Sequence, residues 1–163
     1  MKLSKKLCYL IAGALAVLAF IMAFVSPLKS VYGNTTYTAE AMDVYFGTKN
    51  AKGATIVFIG LIVALLTGAY FILSNFIEIP FDKIIKIVLI VLLVVVTILC
   101  FCTEAIYLEV NIPDAIKGNA DAIKDWKEVA GKNMHLNIGA ILAAIFSLLS
   151  AGAAAFATFF AKD

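Results

Sequence analysis

The sequence predicts an all-α integral membrane protein, a four-transmembrane-helix bundle with a small β-hairpin-like outer segment and an outer amphipathic helix. Three observations predict it. The 163 residues are 63% hydrophobic and 15% charged, against roughly a quarter charged in an ordinary soluble domain. Their mean hydropathy is +1.01. Four long runs are nearly free of charge, and a helix needs about 20 apolar residues to cross a hydrocarbon core of about 30 Å.

The runs are Leu7 to Val25, Ala54 to Ile77, Ile84 to about Thr103 and Leu136 to Ala161. Residues 27–53 and 104–135 are then the outer segments of one membrane domain covering 1–163. Lys2, Lys5 and Lys6 precede the first run as they would in a signal peptide. That run exceeds the roughly 7 to 15 residues of a signal core, and Val25-Ser26-Pro27-Leu28 offers no small-x-small cleavage site, so a permanent span is expected. Only Lys86 interrupts the spans, one turn inside the third. Its four-carbon stem is expected to carry the ammonium back to the headgroups.

The connection from Glu78 to Lys83 is short and contains Pro80, which makes the second and third helices antiparallel neighbours. Orientation rests on Lys counts near the span ends. Lys2, Lys5, Lys6, Lys83, Lys86 and Lys162 fall on one side. Lys29, Lys49, Lys52, Lys117, Lys124, Lys127 and Lys132 fall on the other. The first span breaks this near tie, because three Lys precede it and Lys29 alone follows closely; both termini are expected in the cytoplasm.

In the first outer segment Tyr32, Tyr37, Thr35, Thr36, Thr38, Val44, Tyr45 and Phe46, punctuated by Gly33, Asn34 and Gly47, read as a small hairpin. In the second, Asp114-Ala115-Ile116-Lys117 recurs as Asp121-Ala122-Ile123-Lys124, seven residues on. Seven residues are two helical turns, so Ile116, Ala120, Ile123 and Ala130 share a face, with Pro113 suited to the first turn and Gly131 to the stop. Trp126 is expected to anchor this helix at headgroup depth, where Trp is enriched.

Small residues mark the expected helix-packing faces. Gly139, Ala143, Ser147, Ala151 and Ala155 recur every four residues, Ala140, Ala144 and Gly152 adjoin them, and Gly60, Ala64 and Gly68 have the same spacing. Ala12, Ala16, Ala19 and Ala23 form a third such face. Small faces let helix backbones approach closely, which is how membrane helices gain packing energy. The run from Ile87 to Val96 is bulky all round and suits a helix facing lipid or filling a groove. Ser74, Asn75, Thr67 and Thr97 are expected to hydrogen-bond neighbouring helices.

Chemistry-bearing constellations are thin. His135 is the only histidine, which excludes a metal site of several His. Glu104 and Glu109 stand about 140° apart around a helix, and Cys100 and Cys102 point to nearly opposite sides of one. Cys8 lies at the other end of the bundle, so no intramolecular disulfide is expected. All thirteen basic residues are Lys, which removes the bidentate Arg anchor for phosphate or carboxylate. A net charge of +2 gives no clustered basic face for nucleic acid.

The layout of spans resembles that of tetraspan proteins such as the claudins, with a β-like first outer segment and short inner connections. The Trp, Gly-Leu-Trp run and paired Cys of claudins and the Cys motif of tetraspanins are missing, so no residue role is carried over. The expected function is that of a non-enzymatic multi-pass scaffold, accessory subunit or partner-binding protein of the cell membrane, without cofactor, metal or catalytic residues. Its expected partners are the lipid bilayer and a membrane protein or a second copy, not nucleic acid. The alternatives are a homo-oligomeric channel or small transporter and, behind it, a lipid-modifying enzyme resting on His135 or Glu104.

Overall fold

The computed structural model describes residues 4–161. Lys2 and Lys162, which enter the Lys count, lie outside them. Four helices are long and apolar enough to cross a membrane: α1 (Lys5–Met22), and those spanning Thr55–Leu73, Asp82–Phe101 and Ile138–Phe159. Between them come β1 (Leu28–Tyr32), β2 (Thr35–Thr38) and a short helix α2 (Ala41–Phe46) ahead of α3 (Thr55–Leu73). After α4 (Asp82–Phe101) follow α5 (Thr103–Val110), a single 3-10 turn, α6 (Ala120–Asn133), β3 (Met134–Leu136) and α7 (Ile138–Phe159).

Helix ends follow local chemistry. Ser4 opens α1 by accepting the Leu7 N–H at 3.3 Å, and Asn119 opens α6 by accepting that of Ala122 at 3.1 Å, each satisfying a donor that a helix start leaves unpaired. The Thr103 hydroxyl donates to the Cys100 carbonyl at 2.8 Å where α4 gives way to α5, a side-chain competition that bends helices.

α1 and α4 each pack against both α3 and α7, which closes a four-helix bundle. The three strands gather at one end, the cap end; the end where α1 starts and α7 finishes is the terminal end. Sheet order is β2-β1-β3, antiparallel throughout. The hairpin turns on Gly33 and Asn34, with Gly33 at φ +58°, the positive φ that a two-residue connection with Gly first requires.

The bundle centre is built from small side chains. Ala12, Ala16, Ala19, Ala23, Ala64, Ala143 and Ala144 are fully buried, with Leu61, Phe71 and Leu93 filling the space between them. α1 and α3 meet at two glycines, where a β-carbon on either Gly13 or Gly68 would lie 2.8 Å from the other's carbonyl oxygen. At the bundle centre two serine hydroxyls cross between helices among the described residues: Ser147 donates to the Leu93 carbonyl at 3.0 Å and Ser150 to that of Ala12 at 2.7 Å.

Thr67 is fully buried and its hydroxyl finds no partner among the described residues. An unpaired buried hydroxyl costs about 1–3 kcal/mol, which an apolar group of the same shape avoids. Thr67→Val is therefore expected to leave stability unchanged or raise it by about 1 kcal/mol, read from unfolding in mixed micelles. A clear loss would mean that the hydroxyl is bonded.

Several expectations are corrected. Val44, Tyr45 and Phe46 lie in α2, not in a strand, because the Tyr45 hydroxyl turns inward to donate to the Ala23 carbonyl at 3.0 Å. Leu136 belongs to β3 and pairs with Leu28, so the last long helix starts at Ile138. The surface helix begins at Ala120 and runs through Gly131 to Asn133, while Ile116 sits in the separate 3-10 turn. Lys86 is only 5% exposed, and its ammonium reaches one turn back to Asp82 at the start of α4. Gly152 faces outward with nothing within 4 Å of an added β-carbon.

Candidate functional site

Two places concentrate polar or aromatic groups beyond what packing needs. The first is the cap. Ser26 leaves α1 at φ +34°, which lets its hydroxyl donate to the Ala39 carbonyl at 3.1 Å while accepting from the Asn137 amide at 3.1 Å. The Asn137 backbone N–H donates to the Pro27 carbonyl at 2.9 Å. Glu104 accepts the Leu136 N–H at 3.1 Å. The exit of α1, the entry of α7 and the start of α5 are thus tied to one sheet.

The following loop is held as firmly. Asn111 grips Lys52, accepting its N–H at 2.7 Å and donating to its carbonyl at 2.9 Å. A β-carbon on Gly53 would fall 2.4 Å from the Tyr45 carbonyl oxygen, so only glycine lets the two backbones cross there. Burial, with Cys100 nearby as a lesser cause, pushes the Tyr45 phenol well above its ordinary range, and it stays a neutral donor. Desolvation likewise raises the Tyr107 phenol, with Asp43 adding to it. On the surface, Asp114 is held below the usual carboxylate range and Lys117 above the usual amine range, each by its hydrogen bond to the other.

On this frame the hairpin displays two aromatic rings. Tyr32 pairs with Thr35 and Tyr37 with Ser30, so the tyrosines occupy one face as diagonal neighbours, a separation that aromatic side chains bridge. Their ring centroids are 6.4 Å apart at 60°, and each residue is 59% exposed. β2 is a sheet edge, and all four of its residues are exposed.

The second concentration is at the terminal end, where four helices meet through side chains. The buried Lys86 ammonium donates to Asp82 at 2.6 Å and lies 3.9 Å from the centre of the Tyr9 ring. Asp82 also accepts the Tyr70 hydroxyl at 3.0 Å, and the Tyr9 and Thr158 hydroxyls are 2.9 Å apart. The cluster joins α1, α3, α4 and α7. Periodicity gave no sign of its tyrosines; the four-residue spacing of Asp82 and Lys86, a known pairing distance on helices, was the available signal.

Most of the sequence-selected packing residues lie inside the bundle. Gly60, Ala64, Gly68, Gly139, Ala143, Ser147 and Ala151 are buried and Ala155 is half-buried. Gly60 and Gly68 face different partners: an added β-carbon would meet Leu99 of α4 from Gly60 and Gly13 of α1 from Gly68. Ser150, Gly13 and Ala157 share this packing role without having been singled out by the four-residue stripes. Thr97 and Asn75 bond to carbonyls one turn back in their own helices rather than across the bundle.

Trp126 is half-buried on α6 and His135 is exposed in β3 opposite Lys29. Glu104 and Glu109 go separate ways, Glu104 to the β3 backbone and Glu109 to Lys127. Cys8 and Cys100 are buried, Cys102 is exposed, and all three are free. Among the described residues no three His, Cys, Asp or Glu side chains converge as metal ligands would. Comparison with protein-family models, with curated proteins and with solved structures returns no match.

Proposed function

We propose that the chain is a non-enzymatic, multi-pass protein of the cell membrane that binds a partner protein through its cap, as a scaffold or accessory subunit. Both termini lie in the cytoplasm in this reading and the cap lies outside. The observation that carries it is the Tyr32–Tyr37 pair, exposed on a hairpin whose sheet is tied to the exit of α1, the start of α5 and the entry of α7. Aromatic rings on a rigid frame lose little conformational freedom on binding, and tyrosine is enriched among residues that dominate interface energies. β2 adds an open row of backbone donors and acceptors that an extended segment of the partner can extend as a further strand.

The small faces support the same reading. Most of their residues are taken up in closing this chain's own bundle, with Gly152 left facing outward, and partner recognition falls to the cap. The test is the mass of the complex recovered from the native membrane in nanodiscs, for the natural chain and for Tyr32→Ala/Tyr37→Ala. A second protein in fixed stoichiometry is expected for the natural chain, with at least about a tenfold loss of affinity in the variant and unchanged thermal stability. Equal recovery with both chains would remove the hairpin from the reading. A closed ring of identical subunits would replace it with a channel.

A further inference from the structure

The turn between α3 and α4 holds a residue in a backbone conformation ill suited to it. Among the described residues two non-glycine positions have positive φ, Ser26 at +34° and Phe81 at +60°. Ser26 is kept there by the hydrogen bonds of its hydroxyl with Ala39 and Asn137. Phe81 is left-handed because it starts α4, where its carbonyl accepts the N–H groups of Ile84 at 2.9 Å and Ile85 at 3.1 Å. Glycine or asparagine takes up that conformation readily, and a bulky aromatic residue does not. The chain's own packing offers the ring little in return: Phe81 is 78% exposed, and Phe76, five residues earlier, is 76% exposed. Strain persists where surroundings hold it in place, and here those surroundings lie outside the chain. We infer that the turn seats itself in the headgroup interface of the bilayer, with the Phe76 and Phe81 rings as its lipid contacts. This rests on the membrane reading above.

Three observations favour lipid over a protein surface as the occupant. The first is continuity. Leu73, Phe76 and Ile77 at the end of α3 and Phe81, Ile84 and Val88 at the start of α4 are each at least half exposed, so the apolar outer surface of two spans runs on into the turn. The second is depth. α4 has 20 residues, a length of about 30 Å that matches the hydrocarbon core, and Phe81 precedes its first residue and falls at the edge of that core. The third is the company the rings keep. Glu78 and Lys83 are exposed beside them, and apolar rings next to charges of both signs suit a boundary that is oily on one side and wet on the other. The same seat sets the depth of the ion pair. Asp82 stands at the boundary and Lys86 about 6 Å inside it, where an ammonium requires the carboxylate that it has.

The test adds one tryptophan at a time to the full chain, as Phe76→Trp, Phe81→Trp or Leu66→Trp. Its depth in liposomes is read from quenching by phosphatidylcholines brominated at different positions along the acyl chain, after subtraction of the Trp126 signal of the natural chain. All three positions are exposed, so folding is not at stake. Phe76→Trp and Phe81→Trp are expected about 15 Å from the bilayer centre, the edge of the hydrocarbon core. Leu66→Trp is the ruler: two residues past the middle of α3, it is expected within about 5 Å of the centre. Quenching of Phe76→Trp and Phe81→Trp by aqueous iodide, with none by brominated lipid, would place the turn in water and overturn the proposal. Protection of both from iodide and bromine alike would reveal a second copy of the chain over the turn, and would overturn it too. A Leu66→Trp that no brominated lipid quenches would defeat the membrane reading itself.

Discussion

Replacing Gly139 with alanine is expected to be the most damaging single methyl addition in this chain. A β-carbon there would lie 1.6 Å from the Val25 carbonyl oxygen, 2.6 Å from its carbon and 3.0 Å from the Met22 oxygen. All three are backbone atoms, so no rotamer change relieves the overlap. The entry of α7 must move away from the exit of α1, and the pairing of Asn137 with Pro27 and Ser26 moves with it. A loss of about 3–5 kcal/mol is expected, the range of severe core and backbone conflicts. Gly152→Ala provides the comparison on the same helix, since nothing lies within 4 Å of its added carbon. It should be neutral or stabilising by up to about 1 kcal/mol through helix propensity. Unfolding of both variants in mixed micelles reads the difference, and equal stabilities would show that α7 does not press on α1 as described.

The second large effect is expected at the Asp82–Lys86 pair. The Lys86 side chain is 6% exposed and that of Asp82 is 34% exposed. Removing one partner of a buried pair strands the other charge, at about 3–5 kcal/mol, whereas replacing both with neutral groups of similar shape is often close to harmless. Asp82→Asn leaves the Lys86 ammonium inside the bundle with little beyond the face of Tyr9 and is expected to cost about 3 kcal/mol. Lys86→Met strands a carboxylate that still reaches water and keeps the Tyr70 hydroxyl; about 2 kcal/mol is expected. The double variant should recover most of the loss. Additive losses in this double-mutant cycle would mean that the two charges do not act as a pair.

What the sequence made legible was governed by long-range uniformity. Four apolar runs and their charged boundaries can be read because length and hydrophobicity are properties of a whole segment, and the helices begin and end within a few residues of the charge breaks. The hairpin was legible at Tyr32 to Thr38, where turn residues sit between β-formers. Val44 to Phe46 also consists of β-formers and folds otherwise, because tertiary packing of Tyr45 under Ala23 overrides β-propensity. β3 has three residues, too few to alternate visibly, and its partner lies at the far end of the chain. The terminal-end cluster was hidden for a related reason. Lys86 was weighed by its depth in a span, whereas its surroundings are set by Asp82 one turn away and by Tyr9 and Tyr70 from other helices.

The placement of β1 between β2 and β3 has a consequence for synthesis. β1 meets β2 as soon as the hairpin has left the ribosome, but its other edge stays open until residues 134–136 emerge. At about 5–20 residues per second that interval is on the order of ten seconds. During it, Leu28 lacks Leu136 and the exit of α1 lacks the entry of α7. An unpaired edge adjoining an incomplete bundle is the state in which a neighbouring nascent chain or a chaperone has its opportunity. α7 therefore serves as the clasp of α1, and a chain cut short before α7 would leave both α1 and the edge unguarded.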